Sequence, residues 1–130
     1  DMLIIMLGTN DTKERLGANA SCLAFGMERL VRKAQSVDCR GNHAPNILIV
    51  CPPPIRPEME QAECGQPMGK GCLEKSRELP IYYKKTAELV GAHFVEAAEC
   101  EFNPVDGMHL TKKGHTQLAA MLAEKVPKLL

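Results

Sequence analysis

Two uninterrupted apolar runs constrain the fold of this chain more than any other feature. Residues 2–7 read Met-Leu-Ile-Ile-Met-Leu, and residues 46–51 read Asn-Ile-Leu-Ile-Val-Cys. Such runs are typical of strands that are buried on both faces, as in a parallel sheet covered by helices. Because parallel neighbours need a long crossover connection, the segment between the runs is expected to contain a helix.

Three segments have the apolar spacing of three and four residues that characterises amphipathic helices. They cover about residues 18–37, about residues 72–90, and the chain after Thr111, which can cap its helix. Pro80 is expected to kink the second segment or to begin a new helix. With a short strand at residues 93–97, the order becomes β-α-β-α-β-α. This order predicts an α/β fold with a parallel sheet and helices on both faces.

The connections add two expectations. Gly41-Asn42 is a turn signal in the first long loop, and residues 55–71 form a loop long enough to be functional in a compact domain. The chain begins inside a predicted strand, and strands this apolar are not expected at the edges of a sheet. We therefore expect further strands and helices upstream of Asp1.

Asp106 and His109 form the strongest candidate for chemistry. The carboxylate precedes the histidine by three residues, so it can hold the imidazole in one orientation and one tautomer. His109 could then act as a general base towards a hydroxyl nucleophile. Asn10 follows the first strand, and its amide could donate to an oxyanion. The alternatives remain open: a structural histidine at a helix start, and a simple turn at residues 8–11.

The sequence offers no convincing nucleophile. Its three serines all lie inside helical patterns: Ser21, Ser36 and Ser76. Nothing marks Cys51 or Cys100 as a thiolate of lowered pKa. None of the six cysteines has CxxC spacing, so a zinc or redox site has little support. Cys64 and Cys72 flank a glycine-rich loop and could form a disulfide; the alternative is a reduced, cytoplasmic protein.

Two motifs resemble conserved blocks of the SGNH (GDSL-type) hydrolases. Residues 7–11, Leu-Gly-Thr-Asn-Asp, resemble the third block, and residues 106–110, Asp-Gly-Met-His-Leu, with Gly114-His115 behind them, resemble the fifth. The two lie in the family's order, with a matching β/α pattern between them. Residues 51–55, Cys-Pro-Pro-Pro-Ile, and residues 94–97, Phe-Val-Glu-Ala, are similar to the arylesterase-like branch.

The resemblance implies a flavodoxin-like three-layer α/β/α fold, with residues 1–130 as the C-terminal portion of a single domain. It implies Asn10 as an oxyanion donor, His109 as the general base and Asp106 as the acid that orients it. The substrate contacts expected from these motifs are Gly8, Thr9, Pro53 and Met108. The family's Gly-Asp-Ser block, which supplies the nucleophile, is not found in these residues. A segment upstream of Asp1 is therefore an expected partner, and this chain alone is expected to be inactive.

The activity implied by the resemblance is that of a serine esterase acting on small esters, such as acetyl esters of aryl or carbohydrate alcohols. No metal or other cofactor is implied, and a homo-oligomer is suggested. Sixteen basic residues balance sixteen acidic ones, which argues against nucleic acid or an anionic membrane as a partner. No apolar run approaches the roughly 18–20 residues of a membrane span.

Two other functions stay open at this point. A degenerate hydrolase that lost its nucleophile could serve as a binding module. A plain α/β domain could instead bind a nucleotide, although residues 8–11 contain only one glycine where a phosphate-binding loop has several.

Overall fold

Three parallel strands form one sheet in the computed structural model, which describes residues 1–39, 41 and 43–130. The strands are β1 (Met2–Ile5), β2 (Asn46–Cys51) and β3 (His93–Glu96), and they lie side by side in chain order. Ile5 pairs with Ile49, and Cys51 pairs with Glu96. The predicted turn at Gly41-Asn42 falls partly on Asn42, which lies outside the described residues.

Helices cover both faces of the sheet. Helices α1 (Ala20–Gln35) and α2 (Cys72–Val90) pack on one face, and α3 (Lys112–Lys125) packs on the other. Alternate residues of β2 face the two layers: Ile49 joins the cluster with α1 and α2, while Val50 joins the cluster with α3. The predicted α/β fold is confirmed. None of the helices in the described ranges is long and apolar enough to cross a bilayer.

Two element boundaries differ from the predictions. Strand β1 ends at Ile5 instead of residue 7, and the carbonyl of Leu7 accepts a hydrogen bond from the Tyr83 hydroxyl at 3.3 Å. Helix α2 runs through Pro80, so of the two expectations the new helix start is wrong, and the kink at Pro80 stays a prediction. Leu79 and Tyr83 are buried on either side of Pro80, and this packing outweighs the loss of one backbone hydrogen bond.

The long connection after β2 is packed rather than loose. It contains two short 3-10 helices, Pro57–Gln61 and Glu63–Gly65, and it has a hydrophobic cluster of its own. All six cysteines lie in the described part of the chain and all are free, so the alternative of a Cys64–Cys72 disulfide is wrong. Cys72 is buried, and its thiol donates to the carbonyl of Gly69.

Strand β1 lies at one edge of the sheet, where so apolar a strand was not expected. Its side chains Leu3 and Ile4 are each 41% exposed, whereas Ile5 is buried against the helices. The edge leaves apolar surface and unpaired backbone groups uncovered by this chain, a combination that proteins usually avoid.

Candidate active site

A cavity of about 490 Å³ lies where the three strands end. Thr9 and Asn10 reach it from the loop after β1, Pro53 from the loop after β2, and Met108 and His109 from the loop after β3. The carboxyl ends of parallel strands share one edge of a sheet, so loops distant in sequence meet there. The predicted general base and the predicted oxyanion donor therefore line the same cavity.

Asp106 holds His109 as predicted. Its Oδ2 lies 3.1 Å from Nδ1 of His109, and its Oδ1 accepts the backbone N–H groups of Met108 at 2.9 Å and His109 at 3.0 Å. A second donor, Nδ2 of Asn103, lies 3.1 Å from Oδ2. An ionised carboxylate can only accept, so Nδ1 of His109 carries the proton in this pair and Nε2 is free to take one.

The pKa of Asp106 is lowered from its usual value. Burial opposes ionisation, but the backbone N–H groups of His109 and Met108, together with the His109 ring, outweigh it. Asp106 is mostly covered, with 16% of its side chain exposed, whereas the side chain of His109 is 71% exposed. Asp106 is thus the fixed, charged residue of the pair, and His109 is the residue that a reacting group can reach.

The loop that carries this pair is held by its own backbone. The N–H of Asn103 donates to the carbonyl of His109 at 2.7 Å, and the N–H of Gly107 donates to the carbonyl of Asn103 at 2.8 Å. Gly107 has φ +64°, and a Cβ there would lie 3.0 Å from the backbone nitrogen of Met59. A glycine is therefore required between Asp106 and His109 both for the turn and for the close approach.

Asn10 opens a short 3-10 helix, Asn10–Thr12, directly after Gly8 and Thr9. Thr12 is fully buried and its hydroxyl donates to the carbonyl of Thr9 at 2.7 Å, which fixes the turn beneath Asn10. The side chain of Asn10 is exposed. It makes no hydrogen bond within the described part of the chain, so its amide is free to donate to a bound group.

Gly8 has a different position from the other predicted substrate contacts. Thr9, Pro53 and Met108 line the cavity, but Gly8 is absent from its described lining and borders a smaller space of about 220 Å³. Gly8 has φ +135°, and a Cβ there would lie 2.8 Å from the hydroxyl oxygen of Tyr83. The close approach of Tyr83 therefore explains why position 8 is a glycine, whether or not a substrate binds there.

Among the cavity residues that were not foreseen as part of the site, three have a charged, thiol or imidazole side chain: Lys13, Cys64 and His115. Lys13 follows Asn10 by three residues, so one turn of 3-10 helix places it on the same side, and this spacing was a readable signal. His115 resembled a surface histidine of the last helix, and it is indeed exposed. Nothing in the local sequence places Cys64 in the same cavity as His109.

The described residues place no serine hydroxyl in the cavity, and the one hydroxyl group in the described lining is that of Thr9. No serine lines it, and Ser76 is buried elsewhere, where its hydroxyl donates to the carbonyl of Leu73 and accepts from the N–H of Ile55. Burial, with the nearby charge of Glu96, raises the pKa of Cys51 to about 12, and burial also raises the pKa of Cys100. Neither thiol is an activated nucleophile.

Similar solved structures are esterases. An aryl esterase of M. smegmatis is 35% identical, with a TM-score of 0.89, and the match covers 100% of this chain and 61% of that one. A carbohydrate acetylesterase of Sinorhizobium meliloti is also 35% identical, with a TM-score of 0.86 and the same coverage. A carbohydrate acetylesterase family member of the same organism is 29% identical, with a TM-score of 0.89, covering 100% of this chain and 62% of that one.

No protein-family model and no curated protein matches this sequence. The chain spans about 61% of the length of the M. smegmatis aryl esterase and of the 35% identical carbohydrate acetylesterase. The structure places one of the two sequence motifs, with Asn10, directly after β1. It places the other motif, with Asp106 and His109, in the loop after β3. Over its whole length the chain therefore has the fold of arylesterases and carbohydrate acetylesterases of the SGNH (GDSL-type) hydrolase family, of which it covers about 61%.

Proposed function

We propose that this chain supplies the general base, its orienting acid and one oxyanion donor of a serine esterase. The observation that carries the proposal is the 3.1 Å contact between Asp106 and Nδ1 of His109 at the cavity that Asn10 also lines. The substrates are small esters, such as acetyl esters of aryl or carbohydrate alcohols. This class is supported by the similarity to an aryl esterase and to carbohydrate acetylesterases.

The chemistry follows from which nitrogen of His109 is free. Nε2 takes the proton of a serine hydroxyl as the oxygen attacks the ester carbonyl, and the ionised Asp106 stabilises the imidazolium that forms. Asn10 donates to the oxyanion of the tetrahedral intermediate. His109 then gives the proton to the leaving alcohol. Water repeats the sequence on the acyl-enzyme and releases the acid.

The serine itself is proposed to come from a segment upstream of Asp1, in a Gly-Asp-Ser block of the same domain. Two observations support this part of the proposal: no serine lines the described cavity, and the similar structures are longer than this chain. The uncovered edge of β1 is a fitting place for an added strand. Homo-oligomer formation and a cytoplasmic location stay predictions.

A second candidate function is a binding module that kept the pocket and lost the nucleophile. The same absence of a serine from the described lining favours it. The two candidates differ in one residue of the upstream block, which would read Gly-Asp-Ser in the esterase and Gly-Asp-Ala in the binding module.

Labelling with a serine-directed organophosphate distinguishes the two candidates. The full-length protein should hydrolyse 4-nitrophenyl acetate, and paraoxon should abolish this turnover while adding one diethylphosphoryl group. Peptide mapping by mass spectrometry should place the adduct on a serine outside residues 1–130. A protein that neither turns over nor reacts is the binding module, and an adduct on Ser21, Ser36 or Ser76 would contradict the proposed division of the site.

Asn10→Ala should lower kcat for ester hydrolysis by about 10²- to 10³-fold, because one preorganised donor to the oxyanion is lost. KM should change little, since the interaction forms mainly in the transition state. Steady-state kinetics measure both constants. Gln66→Ala removes an exposed amide outside the cavity lining and is the matched control. A kcat loss below tenfold in Asn10→Ala would remove Asn10 from the oxyanion hole.

A further inference from the structure

Lys13 is an unassigned charged residue in the wall of the active-site cavity. It is half-buried and lines the cavity together with Asn10 and His109. Its backbone is held on both sides, because its N–H donates to the carbonyl of Asn10 at 3.4 Å and its carbonyl accepts from the N–H of Leu16 at 3.1 Å. The lysine stem therefore starts from a fixed point three residues beyond the oxyanion donor.

The positive charge of Lys13 is not matched by the protein around it. Within the described residues its ammonium group forms no ion pair and no hydrogen bond, and no aspartate or glutamate lines the cavity. Glu14, next in the chain, is engaged elsewhere: its Oε2 accepts the backbone N–H of Lys70 at 2.9 Å. Asp11 is outside the described lining of this cavity; it lines a space beside Leu7 and Leu16 and the smaller adjoining space that shares Thr9 and Asn10 with the cavity.

The residues around Lys13 are expected to strengthen its interaction with an anion that enters the cavity. Beside Lys13, the wall is mostly apolar, with Met6, Pro53, Met68 and Leu118 among its residues. A cation at an apolar wall is poorly solvated compared with one on an open surface, so it interacts more strongly with an opposite charge that enters. A carboxylate that enters the cavity would supply the counter-ion that the described lining lacks.

We propose that Lys13 is a specificity-determining residue that selects esters whose alcohol part carries a carboxylate. The inference rests on the proposed esterase function. The carboxylate must belong to the alcohol part of the ester, because an acetyl group contains no ionisable group. The Lys13 ammonium pairs with the carboxylate while the acetyl carbonyl lies between Asn10 and His109.

The test compares three aryl acetates of similar size in the full-length protein: 4-acetoxybenzoate, 4-acetoxybenzamide and 4-(trimethylammonio)phenyl acetate. Each kcat/KM is divided by the rate constant for alkaline hydrolysis of the same ester, which removes differences in intrinsic reactivity. The wild type should prefer the anionic ester over the neutral amide. In Lys13→Met this preference should fall by about tenfold or more, as expected when a hydrogen bond to a charged group is lost.

Two further variants sharpen the test. Lys13→Arg keeps the charge and should keep the preference for the anionic ester, whereas Lys13→Glu should reverse it in favour of the trimethylammonio ester. Lys84→Met is the matched control, because Lys84 is an exposed residue of α2 outside the cavity lining and its loss changes the net charge equally. The preference should stay within about twofold in this control, since exposed charges act weakly at a distance.

The outcomes separate this inference from the function on which it rests. If the neutral ester is hydrolysed but the preference is the same in the wild type and Lys13→Met, the assignment of Lys13 is overturned and the esterase proposal stands. An equal fall in Lys84→Met would also overturn it, because a general field would then explain the selectivity. If the wild type hydrolyses none of the three esters, the proposed function fails and the inference fails with it.

Discussion

His109→Ala should abolish nearly all ester hydrolysis by the full-length protein, lowering kcat by roughly five powers of ten. Nε2 of His109 is the proton acceptor that the geometry leaves free, because Nδ1 is held 3.1 Å from Asp106. Without the imidazole, the serine hydroxyl must lose its proton to water, while the oxyanion donors and the binding site remain. The measurement is single-turnover hydrolysis of 4-nitrophenyl acetate, which reports the acylation step directly.

A control and a rescue separate chemistry from folding in this experiment. His43→Ala removes an exposed histidine outside the cavity lining whose Nδ1 lies 3.3 Å from the carbonyl of Ala44, and it should retain turnover within about twofold. Imidazole added to His109→Ala should restore part of the activity, because it can occupy the vacated space and accept the proton. Retention of turnover within tenfold in His109→Ala would exclude His109 as the general base.

Asp106→Asn should lower kcat by about four powers of ten while keeping the two backbone hydrogen bonds that Asp106 accepts, at the loss of the one from Nδ2 of Asn103. The backbone N–H groups of Met108 and His109 both point at one oxygen of Asp106, so the amide oxygen of the variant would occupy that position. The new NH₂ group would then face Nδ1 of His109. The ring would have to accept at Nδ1 and carry its proton on Nε2, the tautomer that cannot act as a base.

The same variant has a consequence for stability. The pKa of Asp106 is lowered in the folded protein, so its charge stabilises the fold at pH values above the unfolded pKa of about 3.9. This contribution is lost as the pH falls through the lower folded value. The unfolding midpoint of the wild type should therefore fall more steeply than that of Asp106→Asn between about pH 5 and pH 2.

Asp38→Asn is the control for these two measurements, because Asp38 is exposed and lies in the loop after α1. It should match the wild type in turnover. Two results would contradict the role that the hydrogen bonds give to Asp106. One is normal turnover in Asp106→Asn, and the other is an equal fall of the unfolding midpoint with acid in the wild type and in Asp106→Asn.

The elements were predictable because each follows from local pattern. Buried parallel strands require continuous apolar runs, and surface helices require an apolar face with a spacing of three and four residues. The observed bounds of β2 and α2 therefore agree with those predicted from the sequence. The capping of α3 by Thr111 was predicted as well: its hydroxyl accepts the N–H of Gly114 at 3.0 Å. Tertiary contacts decided between the two expectations at Pro80, where the buried Leu79 and Tyr83 accompany a continuous helix.

In the candidate site, too, some features follow from the local sequence and others from tertiary packing. Asp106 and His109 are three residues apart, so their contact is a local property that the sequence determined by itself. The sequence also determined that Asn10 follows a strand, and hence that it lies at the carboxyl edge of the sheet.

Only the tertiary structure decided what surrounds these residues. It placed Cys64 and His115 in the cavity wall and left Gly8 out of the described lining. It also left Leu3 and Ile4 exposed on an edge strand. The reason is physical: a helix, a cap or a three-residue contact depends on neighbouring residues, whereas a cavity depends on how separate loops pack. No local pattern encodes the distances between those loops.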